Sequence, residues 1–278
     1  MEEAMGPQQT ELKTTAIDGV RQIIAVGSGK GGVGKTTVSV NLAIALAGLG
    51  YRVGLIDADV YGPNVPLMMG IREAPHAIGE RIQPLVKHEV KLISMGFLSP
   101  GDKPLVWRGP MLHSVIQQFL RGVDWGTLDY LLIDLPPGTG DVQLSLMQTT
   151  TVSGAVVVTT PSEVSLEDAR KAVLMFQNVR VPVLGLVENM SYLIAPGSGE
   201  RIDVFGQGGG ERTANAMSVP FLGSLPLDPA VRVGGDSGRP AALDPAGKGA
   251  PFVELAERIV ERLAARGAGK APTMTVSD

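Results

Sequence analysis

The chain has 278 residues, with 24 Lys+Arg against 28 Asp+Glu and a formal net charge of −4. With 44% hydrophobic and 19% charged residues it has the balance of a globular chain with a sizeable core, and its mild acidity argues against bulk attraction to nucleic acid or an anionic membrane. It contains no cysteine, which excludes disulfides, thiolate metal sites, thiolate-held iron–sulfur clusters and cysteine nucleophiles within this sequence.

Residues 1–20 read as a flexible lead-in, without the basic and then apolar pattern of a secretory leader. No run approaches the roughly 18 uninterrupted apolar residues of a membrane span. The expectation is a cytoplasmic protein that engages neither membrane nor nucleic acid. Residues 22–27 form a short apolar run ending in glycine, the pattern of a buried parallel strand. A glycine-rich loop follows, and residues 37–47 are then apolar nearly all round, as in a helix covered on most sides. Further strands are expected at 52–57, 130–134, 154–160, 183–188 and 219–224. Helices are expected at 111–120, 143–150, 166–178 and 252–265. Continuous apolar strands alternating with helices predict an α/β fold with a doubly wound, mostly parallel sheet. Ligands of such sheets bind beyond the carboxyl ends of the strands. Two stretches break the pattern. Residues 63–104 are rich in Pro and Gly, with short strands expected at 82–86 and 91–95, and residues 192–210 read as a hairpin or flexible loop. A single domain over 21–266 is expected, with a flexible tail over 267–278.

The loop at 29–36 reads G-K-G-G-V-G-K-T and matches the phosphate-binding pattern G-x-x-x-x-G-K-[ST]. Gly29, Gly31, Gly32 and Gly34, with Val33 between the last two, let backbone amides converge on an anion without a side chain in the way. The helix that follows, entered through Thr36 and Thr37, turns its positive end to the same anion. Lys35 is placed to reach the β- and γ-phosphates of ATP and the Thr36 hydroxyl to ligate Mg²⁺. Three carboxylates stand at strand ends, Asp57 and Asp59 in L-I-D-A-D and Asp134 in L-I-D-L-P-P-G. Hard Mg²⁺ takes oxygen ligands and keeps waters. Asp134 is therefore assigned to the metal shell, Asp59 to positioning the attacking water, and Asp57 to support of the metal site from behind. Gly138 and Gly140 are expected to form a mobile loop that senses the γ-phosphate. His76, His88 and His113 show no metal spacing, and the Met68-Met69 pair reads as packing.

Lys30, one residue after the first glycine, marks a deviant phosphate loop. On it, and on D-A-D-V-Y-G-P-N-V-P (57–66), M-G-F (95–97), W-R-G-P-M (107–111), D-L-P-P-G-T-G-D (134–141), T-T-P (159–161), V-E-N-M-S (187–191), the F-G and G-G-G of 205–210 and P-L-D-P (226–229), the chain resembles the Mrp/ApbC family. These are iron–sulfur cluster carrier ATPases of the MinD/ParA-like class, and the resemblance spans roughly residues 22–265. It implies a homodimeric Mg²⁺-dependent ATPase that passes iron–sulfur clusters to apoprotein clients. It also implies that Lys30 reaches the partner's nucleotide as a charge clamp, and that Asn189, Pro226 and Asp228 lie against the adenine. One departure stands out. Family members usually carry C-x-x-C after the tyrosine that follows N-M-S, whereas here Ala195 and Ser198 occupy those positions. Alanine has no donor atom, and serine oxygen is hard and seldom deprotonated. The alternatives are a MinD/ParA-like positioning switch and a cluster-free regulatory ATPase. The mixed Glu/Arg surface of the last helix argues against membrane docking of the MinD kind.

Overall fold

The apolar runs pair edge to edge into one nine-stranded sheet. The computed structural model describes residues 16–98 and 109–268. In chain order the elements are β1 (Val20–Gly27), α1 (Lys35–Gly48), β2 (Val53–Asp57), α2 (Val65–Met69), β3 (Ala77–Ile78), β4 (Arg81–Ile82), β5 (Leu85–Lys87), β6 (Val90–Ser94), α3 (Gly109–Arg121), β7 (Leu128–Asp134), α4 (Asp141–Thr149), β8 (Gly154–Thr159), α5 (Glu163–Asn178), β9 (Val183–Ile194), β10 (Arg201–Ile202), α6 (Gly209–Ala216), β11 (Phe221–Pro226), α7 (Pro229–Asp236) and α8 (Ala250–Ala268). Short 3₁₀ turns occupy Met95–Leu98 and Ala241–Leu243.

The sheet order is β10-β9-β8-β1-β7-β2-β6-β5, with β11 also paired to β9. The β8-β1-β7-β2-β6 centre is parallel, and antiparallel pairing within this sheet is confined to β5 on β6 and β10 on β9, while β3 and β4 form a separate antiparallel ribbon. Alternate residues of each central strand face opposite layers, as the two-residue period of a strand requires. Ile24, Val26, Leu55 and Leu132 meet α1 and α8 on one face. Ile23, Ala25, Ile56 and Ile133 meet α3 and α5, with Phe119 and Phe176, on the other. Helix α1 lies between sheet and α8, and every residue from Val38 to Ala47 is buried, which is why its sequence carries no polar face. In register, Val26 stands beside Asp134 and Asp134 beside Asp57. The strand that launches the phosphate loop therefore neighbours the two strands that deliver carboxylates.

Some boundaries differ from expectation. Ile17 is buried, and the Gly19 carbonyl accepts from the Leu128 amide, so the last residues of the expected lead-in are packed and β1 opens at Val20. The expected strand at 82–86 is two pieces separated by Gln83 and Pro84, because proline has no amide for a ladder. The strand expected at 183–188 continues as β9 to Ile194, and the one expected at 219–224 is shifted to Phe221–Pro226. Helix α8 continues to Ala268, inside the expected tail. Helices α2, α6 and α7 were not expected. Residues 1–15, 99–108 and 269–278, which include the rest of the lead-in and tail and Trp107 and Arg108 of the W-R-G-P-M stretch, lie outside the described residues. Among the described residues no helix is long and apolar enough to cross a membrane.

Candidate functional site

β1 ends at Gly27, and the loop that follows hands over to α1 at Lys35. Two of its glycines are required for different reasons. Gly34 caps α1 at φ +83°, in the left-handed region, and a Cβ there would lie 2.1 Å from the Asn189 side-chain nitrogen. Gly29 is pressed against α5, where a Cβ would lie 2.0 Å from the Asp168 carbonyl oxygen. The loop is also tied by one hydrogen bond within itself and one from β9. The Ser28 hydroxyl donates to the Lys30 carbonyl at 3.0 Å, and the buried Asn189 amide donates to the Val33 carbonyl at 2.9 Å.

The loop forms one end of a cavity of about 720 Å³. Lys30, Gly31, Gly32, Val33, Gly34, Lys35, Thr36 and Thr37 line that end, with Asp59 opposite. The other end is built by Asn189 and Met190 of β9, the Pro226–Asp228 turn, Val231 and Gly235 of α7, and Leu67 and Met68 of α2. The structure thus brings Lys30 to Thr37, Asn189, Pro226 and Asp228 to a single cavity, whereas Gly29, packed on α5, does not line it.

The carboxylates divide the work differently from their spacing. Asp134 is fully buried. Its Oδ2 accepts from Thr36 Oγ1 at 2.8 Å, and its Oδ1 from Lys35 Nζ at 2.8 Å and Ser39 Oγ at 2.6 Å. It meets the cavity through Thr36, a hydroxyl backed by a carboxylate, which is an all-oxygen donor set that fits Mg²⁺. Asp59 lines the cavity, with Oδ2 3.8 Å from Lys35 Nζ and Oδ1 accepting from the Tyr61 and Gly62 amides at 3.1 and 3.2 Å. Burial pushes its carboxyl above the ordinary carboxylate range, against the opposing pull of Lys35. Asp57, expected to support the metal site from behind, holds the loop that carries Asp59. It is fully buried, with Oδ1 accepting from the Asp59 amide at 3.2 Å and Oδ2 from Ser94 Oγ at 2.8 Å and the Val65 amide at 3.2 Å. Burial, and then the charge of Asp134 on the neighbouring strand, push it up to about 7.

The loop after Asp134 is tethered. The buried Gln143 side chain donates to the Pro136 and Pro137 carbonyls, each at 3.0 Å, and the Gly138 amide donates to the Ser28 carbonyl at 2.9 Å. Gly138 sits at φ +96°, where a side chain would be strained.

The far end of the cavity has features that composition and periodicity did not reveal. Asp228 caps α7 by accepting from the Ala230 amide at 2.8 Å, and its other oxygen pairs with Lys248 at 2.6 Å. Its carboxylate therefore positions α7. The local signal was present: Asp followed by Pro is a cap with proline at the first helical position. Asn189 likewise spends an amide hydrogen on the phosphate loop. Met69 is fully buried, as packing predicts, whereas Met68 lines the cavity. Met190 lines it at φ +52°. His76 and His113 are exposed, and His88 occupies the tight turn between β5 and β6.

Beyond the cavity, β9 and β10 form a hairpin arm, with Arg201 opposite Ile194 and Ile202 opposite Leu193. The Arg201 guanidinium lies 4.2 Å from the centroid of the Tyr192 ring. Ala195, whose amide donates to the Glu200 carbonyl at 2.8 Å, and the exposed Ser198 occupy the connecting turn. The Leu227 amide donates to the Tyr192 carbonyl at 2.7 Å, so the arm is bonded directly to the 226–228 turn.

Comparison with known proteins gives a consistent picture. The family model for NUBPL iron-transfer P-loop NTPases, within the ParA group, matches residues 19–264. An iron–sulfur cluster carrier protein of Synechocystis is 53% identical over 241 residues, covering 84% of this chain and 68% of its own length. One from Deinococcus radiodurans is 56% identical over 230 residues, covering 82% of this chain and 65% of its own length. The chain thus spans about two thirds of these relatives. An iron–sulfur protein required for NADH dehydrogenase, mitochondrial, from Arabidopsis thaliana is 46% identical over 262 residues, covering 93% of this chain and 83% of its own. Among solved structures, a nucleotide-binding protein from Archaeoglobus fulgidus in complex with ADP superposes with TM-score 0.71 at 39% identity, covering 80% of this chain and 88% of that one. The septum site-determining protein MinD of Pyrococcus horikoshii, complexed with Mg-ADP, superposes with TM-score 0.63 at 27% identity, covering 89% and 98%.

Proposed function

The chain belongs to the NUBPL-type iron-transfer P-loop NTPase family, and from that premise we propose that it is an Mg²⁺-dependent ATPase that dimerises around ATP. The observation that carries this reading is the junction of Lys35, Thr36, Asp59 and Asp134 at one end of a cavity large enough for a nucleotide. The glycine loop and the start of α1 bind the phosphates, and Lys35 leaves its carboxylate partners to neutralise them. Thr36, backed by Asp134, holds Mg²⁺, which when bound offsets charge on the phosphate oxygens. Asp59 faces the same space with its proton affinity raised, and it orients the attacking water. Asn189, Met190, the 226–228 turn and α7 take the base. Lys30 lines the cavity, and in the dimer it serves the neighbouring copy's phosphates as a cation supplied in trans.

The cargo half of the family's role does not map onto this chain. Ala195 and Ser198 offer no sulfur, and among the described residues no group of three or more His, Cys, Asp or Glu is placed to hold a metal. A cluster held through thiolates therefore finds no ligand here. The reading is a nucleotide-driven dimer that serves iron–sulfur assembly without holding a cluster on sulfur of its own. The test is sedimentation with a non-hydrolysable ATP analogue and Mg²⁺. The wild type should shift to a dimer, and Lys30→Ala should bind the analogue normally but dimerise at least about tenfold more weakly. An unchanged dimerisation constant in that variant would remove the trans role.

A further inference from the structure

Asp134 takes all three of its side-chain donors from the first five residues of α1: Lys35, Thr36 and Ser39. Under the proposed nucleotide function, on which this inference rests, two of these have other work. Lys35 turns to the phosphates and the Thr36 hydroxyl turns to Mg²⁺. Ser39 has no such alternative. It is fully buried and does not line the cavity, and its hydroxyl lies 2.6 Å from Asp134 Oδ1. A second acceptor, the Lys35 carbonyl, is 3.1 Å away. The single proton favours the shorter contact to a carboxylate, because hydrogen bonds to charged acceptors are the stronger kind. Lys35 and Ser39 are four apart and Thr36 and Ser39 three apart, so all three project from one face of the helix.

We propose that Ser39 is a positioning residue for the metal corner: it pins Oδ1 of Asp134 so that Oδ2 keeps facing Thr36 and the Mg²⁺ shell while Lys35 and Thr36 are engaged by nucleotide and metal. Without that bond the carboxylate is free to rotate once Lys35 leaves. Partners of this outer kind are worth about 10- to 100-fold in metal affinity. Serine to alanine within a helix interior is otherwise well tolerated, since alanine is the better helix former.

The experiment follows a fluorescent ADP analogue bound to wild type, Ser39→Ala and Ser39→Thr, first in EDTA and then through an Mg²⁺ titration. The expected result is equal ADP affinity in EDTA for wild type and Ser39→Ala. The Mg²⁺ half-saturation point of Ser39→Ala should be raised about tenfold. Recovery of the wild-type midpoint in Ser39→Thr would support the hydroxyl as the cause. A wild-type Mg²⁺ midpoint in Ser39→Ala overturns the proposal. So does a parallel loss of ADP affinity in EDTA, which would mark Ser39 as merely structural. Failure of the wild type to bind ADP with or without Mg²⁺ would instead sink the nucleotide reading itself.

Discussion

The phosphate-loop corner and the hairpin arm lie at the same end of the sheet, joined by the 188–192 stretch of β9, yet they are built to opposite rules. In the corner, Lys35, Ser39, Asp57, Asp59, Ser94 and Asp134 are all buried, and each makes at least one polar contact to another element or to a carboxylate of the group. In the arm, Ile194, Ile202, Val204 and Phe205 are 43–48% exposed, and Arg201 is held by a neighbouring ring and by Asp203. The difference teaches where substitution is tolerated. A corner residue answers to several partners at once, so its chemical type is over-determined. An arm residue answers mostly to the arm, and Ala195 and Ser198 lie in its exposed connecting turn.

Three experiments press on that contrast, from the largest expected effect to the smallest. Lys35→Ala removes the cation from two carboxylates and from the phosphates. Turnover should fall by at least about 100-fold, the scale of losing one preorganised stabilising group. Breaking the buried pair should also cost about 3–5 kcal/mol of stability. Phosphate release and chemical denaturation measure the two, and near-normal turnover would refute the corner's assignment. Gly34→Ala places a Cβ at φ +83° against the Asn189 amide. The left-handed backbone alone costs about 1–2 kcal/mol, and displacing Asn189 releases the Val33 carbonyl. Nucleotide affinity, read by calorimetry, should drop at least about tenfold, the equivalent of 1.4 kcal/mol. An unchanged affinity would mean that the loop does not depend on its contact with β9. The arm should show the smallest effect of all. Anaerobic incubation with iron and sulfide should leave the purified chain without stoichiometric iron or visible cluster absorbance, and its melting temperature unchanged. A stoichiometric cluster would erase the contrast between the two regions.

The sequence alone determined the parts whose causes are local. The strand–loop–helix order around residues 22–47, the glycines of the phosphate loop, the carboxylates at strand ends and the all-round apolarity of α1 are written in period, backbone freedom and burial. The Asp-Pro pair that opens α7 is equally local, but a helix of eight residues leaves little periodicity around its cap to mark it. What the tertiary structure decided are partnerships between distant positions. Thr36 and Ser39 meet Asp134 across 98 and 95 residues, and Asn189 meets Val33 across 156. Asp57 and Asp134 look alike as strand-end aspartates, but packing gives one the loop that carries Asp59 and the other the hydroxyl of Thr36. A hydrogen bond depends on where two atoms finally lie, and that position is set by the register of the sheet and the helix packed on it, which no stretch of neighbouring residues encodes.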